Sequence, residues 1–294
     1  MNVYDADHVR NFALVGHQGS GKTTLSEAML YSAGAIKRMG TVEEGSTVSD
    51  FHDSEHERGM SIFSALLHAE WKGYKINILD TPGYLDFAGE VVASLKVADT
   101  ALFILDATEG VQVGTELAWT YCEMTETPAM FVLNKLDEEG ADFETALAQV
   151  QERYGRAATP VQLPGGKGTR TIIDVLLMKQ IRFDEKGQAH FEEIDAAFRD
   201  RADELHNELI ENIAENDEGL MALYFEKGTL SEDEMRQGLR AAMIQRSLFP
   251  VFLTVASENV GVPRLMSFID NVVPSPKMMP APHMEIGSEE PGPG

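Results

Sequence analysis

Eight residues restrict this chain more than any others. Gly16-His17-Gln18-Gly19-Ser20-Gly21-Lys22-Thr23 fits G-x-x-x-x-G-K-[ST], and Thr24 continues it. The glycines permit positive φ and close backbone approach, so successive N–H groups turn toward one point and cradle phosphate oxygens. Lys22 supplies a point charge for the β and γ phosphates, and the Thr23 hydroxyl reaches Mg²⁺. Both flanks agree. Val9–Val15 reads as a buried strand, and a helix is predicted from Lys22 to Ala33, stopped by Gly34. That helix turns its positive end to the phosphates. An accidental glycine-rich turn would need the strand and the helix to be coincidences as well.

The rest of the first half alternates strand and helix signals, the pattern of an α/β fold with a mostly parallel sheet and helices on both faces. Ile36–Met60 is polar and without period and reads as a long loop, of the functional or mobile kind. Ser61–Trp71 and Tyr74–Leu79 flank Lys72-Gly73, which predicts a hairpin. Helices are expected over Phe87–Val97, Val113–Glu126 and Asp142–Tyr154. Ala101–Leu105 and Ala129–Leu133 are wholly apolar, as central parallel strands are. A last strand, Val251–Val255, and helix, Val262–Val272, complete the pattern. Between Arg156 and Pro250 lies a stretch of different character. It holds a turn cluster from Leu163 to Thr169, strands over Thr171–Phe183 and Ala189–Ile194 around a turn at Asp184–Gly187, a long acidic helix over Ala196–Glu215, and a helix capped by Ser231. The expected organisation is a P-loop domain over 1–158 and 250–277, a small inserted α+β subdomain over 159–249, and a Pro/Gly-rich linker over 278–294 leading to domains beyond this chain.

Two further motifs extend the site. Asp80-Thr81-Pro82-Gly83 follows the strand that ends at Leu79. A carboxylate there is placed to hold the metal, and Gly83 leaves its N–H for a γ-phosphate oxygen. Asn134-Lys135-Leu136-Asp137 follows the strand Ala129–Leu133. An aspartate at 137 accepts from both N1–H and the 2-amino group of guanine. Adenine lacks those donors and would leave the carboxylate unpaired, so the pairing selects G over A.

Together these motifs are the signature of the GTPases, and the match narrows further. Asp80-Thr81-Pro82-Gly83-Tyr84-Leu85-Asp86-Phe87 resembles the DTPGHxDF of translational GTPases. Glu57-Arg58-Gly59-Met60-Ser61-Ile62 resembles their ERGITI, and Ala256 to Val262 their guanine-loop segment. The fragment Val272-Val273-Pro274-Ser275-Pro276 resembles the end of domain I of elongation factor G, whose G′ subdomain sits where this chain is long between Asp137 and Ala256. The resemblance covers about residues 8–277. It implies that 36–60 is switch I and 81–90 switch II. It also implies that Thr23, Ser61 and Asp80 hold Mg²⁺, that Ala256 N–H faces guanine O6, and that GTP or GDP is bound. Lys22, Gly83 and Tyr84 are the implied catalytic positions, and the ribosome is the implied partner.

Tyr84 departs from the family, which has a water-positioning histidine there. A phenol ordinarily titrates near pH 10, so it is a poor base at neutral pH. Gly19-Ser20 replaces the usual Asp-Ala and removes a carboxylate near the phosphates. Both changes point to an elongation-factor-G-like subgroup. A GTP-binding module with little hydrolysis, a ribosomal protection or release-factor-3-like GTPase, and an ATP-using kinase are the rival readings. His52-Asp53-Ser54-Glu55-His56 carries zinc-like H-x-x-x-H spacing, but Asp stands where that motif has Glu, and a polar, mobile loop is the preferred reading. The acidic helix around Asp203–Glu218 reads as a solvated face.

Charge and cysteine content narrow the surroundings. The net charge of −24 excludes grip on nucleic acid by bulk electrostatics. The lone Cys122 excludes an internal disulfide and points to a reducing compartment. No apolar run spans a membrane and the first residues lack a signal-peptide core. A monomer in the cytoplasm is expected.

Overall fold

The computed structural model of the protein describes residues 2–166, 170–185 and 187–280. Thr169 and Lys186, and with them parts of two predicted turns, lie outside the described residues, as does the expected linker from residue 281 on.

The main sheet is built from β1 (Val9–Val15), β2 (Ala65–Trp71), β3 (Tyr74–Asp80), β4 (Thr100–Asp106), β5 (Ala129–Asn134), β6 (Ala158–Pro160) and, late in the chain, the strand Phe249–Leu253. Helices α1 (Lys22–Ser32), α2 (Asp53–Arg58), α3 (Ala88–Leu95), α4 (Val113–Met124) and α5 (Phe143–Tyr154) lie between these strands. A second sheet follows, with β7 (Gln162–Pro164), β8 (Thr171–Asp174), β9 (Lys179–Phe183) and β10 (Ala189–Glu192), all antiparallel. Then come α6 (Ala196–Ala214), α7 (Glu218–Lys227) and α8 (Glu232–Ile244), the late strand β11 (Phe249–Leu253), and α9 (Val262–Asn271).

The main sheet has the order β2-β3-β1-β4-β5-β11-β6, and only β2 runs antiparallel to its neighbour. Every residue of β4 and β5 is buried, because helices cover both faces. Edge strand β2 alternates buried and exposed. The Lys72-Gly73 hairpin turn forms as predicted, with φ of +45° and +88° at its two central residues. From β1 the chain moves first to β3 on one side and then to β4 on the other. A crevice opens at such a reversal, beyond the carboxyl ends of the strands. Gly16, Asp80, Asp106, Asn134 and Thr254 all sit at those ends.

Several boundaries differ from the sequence reading. The loop predicted over 36–60 contains α2. The strand expected from Ser61 begins at Ala65, because the preceding amides are taken by carboxylates. Ile62 and Phe63 N–H donate to Glu55 Oε1 at 2.9 and 3.1 Å, and Ser64 N–H donates to Glu90 at 2.8 Å. The helix expected from Phe87 starts at Ala88, after a 3₁₀ turn over Leu85–Phe87. The stretch Thr171–Phe183 is two strands, broken by a turn with Met178 at φ +51°. Helix α7 was not anticipated, although Asp217 caps it at Gly219 and Leu220 N–H. The main sheet runs on to Pro160 and resumes at Phe249, so residues 159–160 and 249 belong to it.

Candidate nucleotide site

β1 delivers the chain to Gly16, and α1 starts at Lys22, so the turn between them is closed by backbone geometry. Gly21 has φ +93°, and a Cβ there would lie 2.3 Å from Asn134 Nδ2. Gly83 comes in from the far side. A Cβ on it would lie 2.6 Å from Lys22 Nζ and 2.7 Å from Gln18 N. Only glycine permits both approaches.

Lys22 is buried, and its ammonium donates to the carbonyls of Gly16 (3.0 Å) and His17 (2.7 Å). Burial pushes it down to about 8, against the pull of Asp80. Asp80 is pushed up to about 6 by the same burial, against the Thr23 hydroxyl and the Lys22 charge. Its Oδ2 accepts from Ser26 Oγ at 3.3 Å, while Oδ1 is buried with no partner among the described residues. Thr23 Oγ1 stands 3.3 Å from Ser61 Oγ. The three residues expected at a metal are therefore gathered at one place.

A fourth residue, Asp50, was missed. Burial raises its carboxyl, and the hydroxyls of Ser61 and Thr47 beside it pull the other way. Its Oδ2 is buried and unpartnered among the described residues, as are Ser49 Oγ, Thr47 Oγ1 and Ser20 Oγ. Nothing periodic in residues 36–60 marks Asp50. It acquires meaning only when that segment folds over α1.

His17 braces the turn. Its Nδ1 accepts from Gly114 N–H at 3.2 Å, which fixes the proton of the neutral ring on Nε2. Burial and the Lys22 charge depress its protonation. Thr81 is likewise an anchor, donating to Leu14 O at 2.6 Å. Tyr84 has extended backbone and is 38% exposed.

At the other end of the crevice, Asn134 is a clamp. Its Nδ2 donates to Ser20 O, and its Oδ1 accepts from Thr254 Oγ1 and Ala256 N–H, each at 3.0 Å. Ala256 N–H, expected to face a guanine, donates here to Asn134 Oδ1. That N–H is turned inward, and Ser257 is the exposed residue of the same turn. Lys135, at φ +65°, reaches Asp106 Oδ2 at 2.9 Å. Burial opposes its charge, but the Asp106 carboxylate holds the ammonium above its usual range. Leu136 is half-buried and Asp137 exposed.

The two histidines of the zinc-like spacing diverge. The His52 ring lies against Phe51 and Phe63, at 4.3 and 4.8 Å, whereas His56 Nε2 is 2.5 Å from Asp50 O. The segment is a short helix stabilised by Glu55, whose Oε2 accepts from His52 N–H at 3.2 Å. Among the described residues no helix is long and apolar enough to cross a membrane.

A strand–glycine turn–helix, an aspartate ending the neighbouring strand and an N-K-x-D loop at one crevice define the class of the Ras-like P-loop G domains. The model of the elongation factor Tu GTP binding domain family matches residues 7–275. The chain belongs to that family, whose domains are GTPases, and it is a translational GTPase domain of the elongation factor G type. A crystal structure of a protein from Thermus thermophilus is similar to it at 37% identity and a TM-score of 0.87. The match covers 92% of this chain and 41% of that one, so the chain spans less than half the length of that relative.

Proposed function

We propose that the chain is the GTP-binding and GTP-hydrolysing domain of an elongation factor G-like protein. In this reading it switches conformation with the γ-phosphate and so orients the rest of the protein on the ribosome during translocation. The observation that carries the reading is the Asn134 clamp. It joins the phosphate turn and the base loop into one rigid piece, so that phosphates and purine are read together.

The amides of residues 16–24 hold the phosphates, with Lys22 between them. Asp137 accepts from the guanine edge, flanked by Lys135 and Leu136, and Ser257 N–H takes O6 in place of Ala256. The fit to Mg²⁺ rests on the orphaned Asp80 Oδ1 and the hydroxyls of Thr23 and Ser61. This is a set of hard oxygen donors, with Asp50 alongside. Mg²⁺ bound there supplies charge neutralisation to the β and γ phosphates. Gly83 N–H meets the γ-phosphate, and water is oriented by backbone groups rather than by a base at 84. The full-length protein is a cytoplasmic monomer that meets the factor-binding region of the large ribosomal subunit.

The exposed Tyr84 favours a second reading, a GTP-binding module that works by binding and release. GTP hydrolysis by the full-length protein, with and without ribosomes, separates the two. The first expects ribosome-stimulated turnover, and the second expects none until Tyr84→His supplies it. Equal affinity for ATP and GTP would sink both.

A further inference from the structure

Glu27 is wholly buried on α1, yet no cation pairs with it among the described residues. Its two carboxylate oxygens accept instead from Gly40 N–H at 2.8 Å and Val48 N–H at 2.6 Å. Both donors belong to the irregular 36–60 segment, at the two ends of a small closed loop. Within that loop Ser46 N–H donates to Thr41 O at 3.1 Å and Gly45 N–H to Val42 O at 3.0 Å. Gly40 has no room for a side chain, since a Cβ would lie 2.1 Å from Ser46 O. One carboxylate therefore grips the loop at its neck.

The place of Glu27 on α1 gives the grip its meaning. It lies one turn after Thr23, so both residues occupy one stripe of the helix. Thr23 meets Ser61, near the end of the segment, and Glu27 meets Gly40 and Val48, before it. Between these two attachments run Ser49 and Asp50, which the segment delivers beside Asp80. The intervening stretch is tied internally by Glu55, which is also buried and bonded to backbone N–H groups.

We propose that Glu27 is a positioning residue for the nucleotide reaction. It latches the 40–48 loop onto α1, and through it sets Asp50 and Ser61 at the phosphate end of the crevice. A buried carboxylate that grips two amides holds them through charge-assisted bonds, which are about twice as strong as neutral ones. The partners are backbone groups, so the latch does not depend on the side chain at 48, while position 40 must stay glycine. The inference rests on the reading that this segment closes with GTP and opens with GDP. Given that reading, the latch exists in the closed state alone, so it shifts affinity for GTP and not for GDP.

Glu27→Gln tests this. The amide is nearly isosteric but offers one acceptor where two donors converge. Measured on the full-length protein with Mg²⁺, the variant is expected to bind a non-hydrolysable GTP analogue about thirty-fold more weakly. GDP affinity stays within about twofold, and the melting temperature of the GDP complex is unchanged. Amide exchange at Gly40 and Val48, slow in the wild-type GTP-analogue complex, rises to the rate of the GDP complex. Equal weakening of both nucleotides, or a lower melting temperature with GDP, would show that Glu27 serves helix packing and overturn the latch. So would a variant that keeps wild-type exchange protection. If the wild-type loop exchanges equally in both complexes, the switch reading itself fails, and the latch with it.

Discussion

The two ends of the crevice treat their buried polar atoms in opposite ways. At the base end the protein satisfies itself. Asn134 uses both side-chain atoms, Asp106 Oδ1 accepts from Thr108 N–H and Oγ1, and Lys135 closes onto Asp106. At the phosphate end Asp80 Oδ1, Asp50 Oδ2, Ser20 Oγ and Ser49 Oγ are all buried without partners among the described residues. A lone buried carboxylate oxygen costs stability, and a folded protein keeps such a cost where something else supplies the missing charge. The base end is part of the fold. The phosphate end is completed by what binds there.

The sharpest way to break this comparison is Asp137→Asn. Asp137 is exposed and its side chain bonds nothing among the described residues, so the metal-free fold should keep its stability while GDP affinity falls about 10³-fold, roughly 4 kcal/mol. Xanthosine diphosphate, whose 2-oxo group needs a donor, should gain. Calorimetry with both nucleotides checks it, and retained tight GDP binding would refute the assignment of the base end.

Asn134→Ala strikes the prebuilt end and should act without any ligand. It strands Ser20 O, Thr254 Oγ1 and Ala256 N–H, at about 1 kcal/mol each, so denaturant melts of the metal-free protein should lose on the order of 3 kcal/mol. A neutral result would mean that the loops stand without the clamp.

Asp80→Asn should move stability the other way, by less. The native carboxyl titrates at about 6, against roughly 3.9 in the unfolded chain. Between those values the folded form holds more protons, so stability falls as pH rises from about 4 to about 6 and stays lowered above. In chelator, the variant should exceed the wild type by about 2 to 3 kcal/mol at pH 7, with the gain vanishing near pH 4. Asp99 and Asp270, also pushed to about 6 by burial, give both proteins the same remaining slope. With Mg²⁺ and triphosphate present the variant should be the weaker binder. A variant destabilised at every pH would make Asp80 an ordinary structural residue and erase the contrast.

Local chemistry alone announced the middles of β4 and β5, because short wholly apolar runs have no other comfortable place than the middle of a covered sheet. It announced the phosphate turn too, and the fold shows why glycine stands at 21 and 83, where a Cβ would lie 2.3 Å from Asn134 Nδ2 and 2.6 Å from Lys22 Nζ. Folding in three dimensions assigned the rest. Glu27 and Asp50 look like ordinary surface acids until a polar segment folds across α1. Ile62 to Ser64 look like strand until Glu55 and Glu90 claim their amides. Asn134 looks like one letter of a motif until its side chain bonds Ser20 O, Thr254 Oγ1 and Ala256 N–H at once. In each case the deciding partner lies far along the chain or in an aperiodic loop. A buried carboxylate or amide takes its role from whichever group reaches it, and no spacing rule in the chain records which group that is.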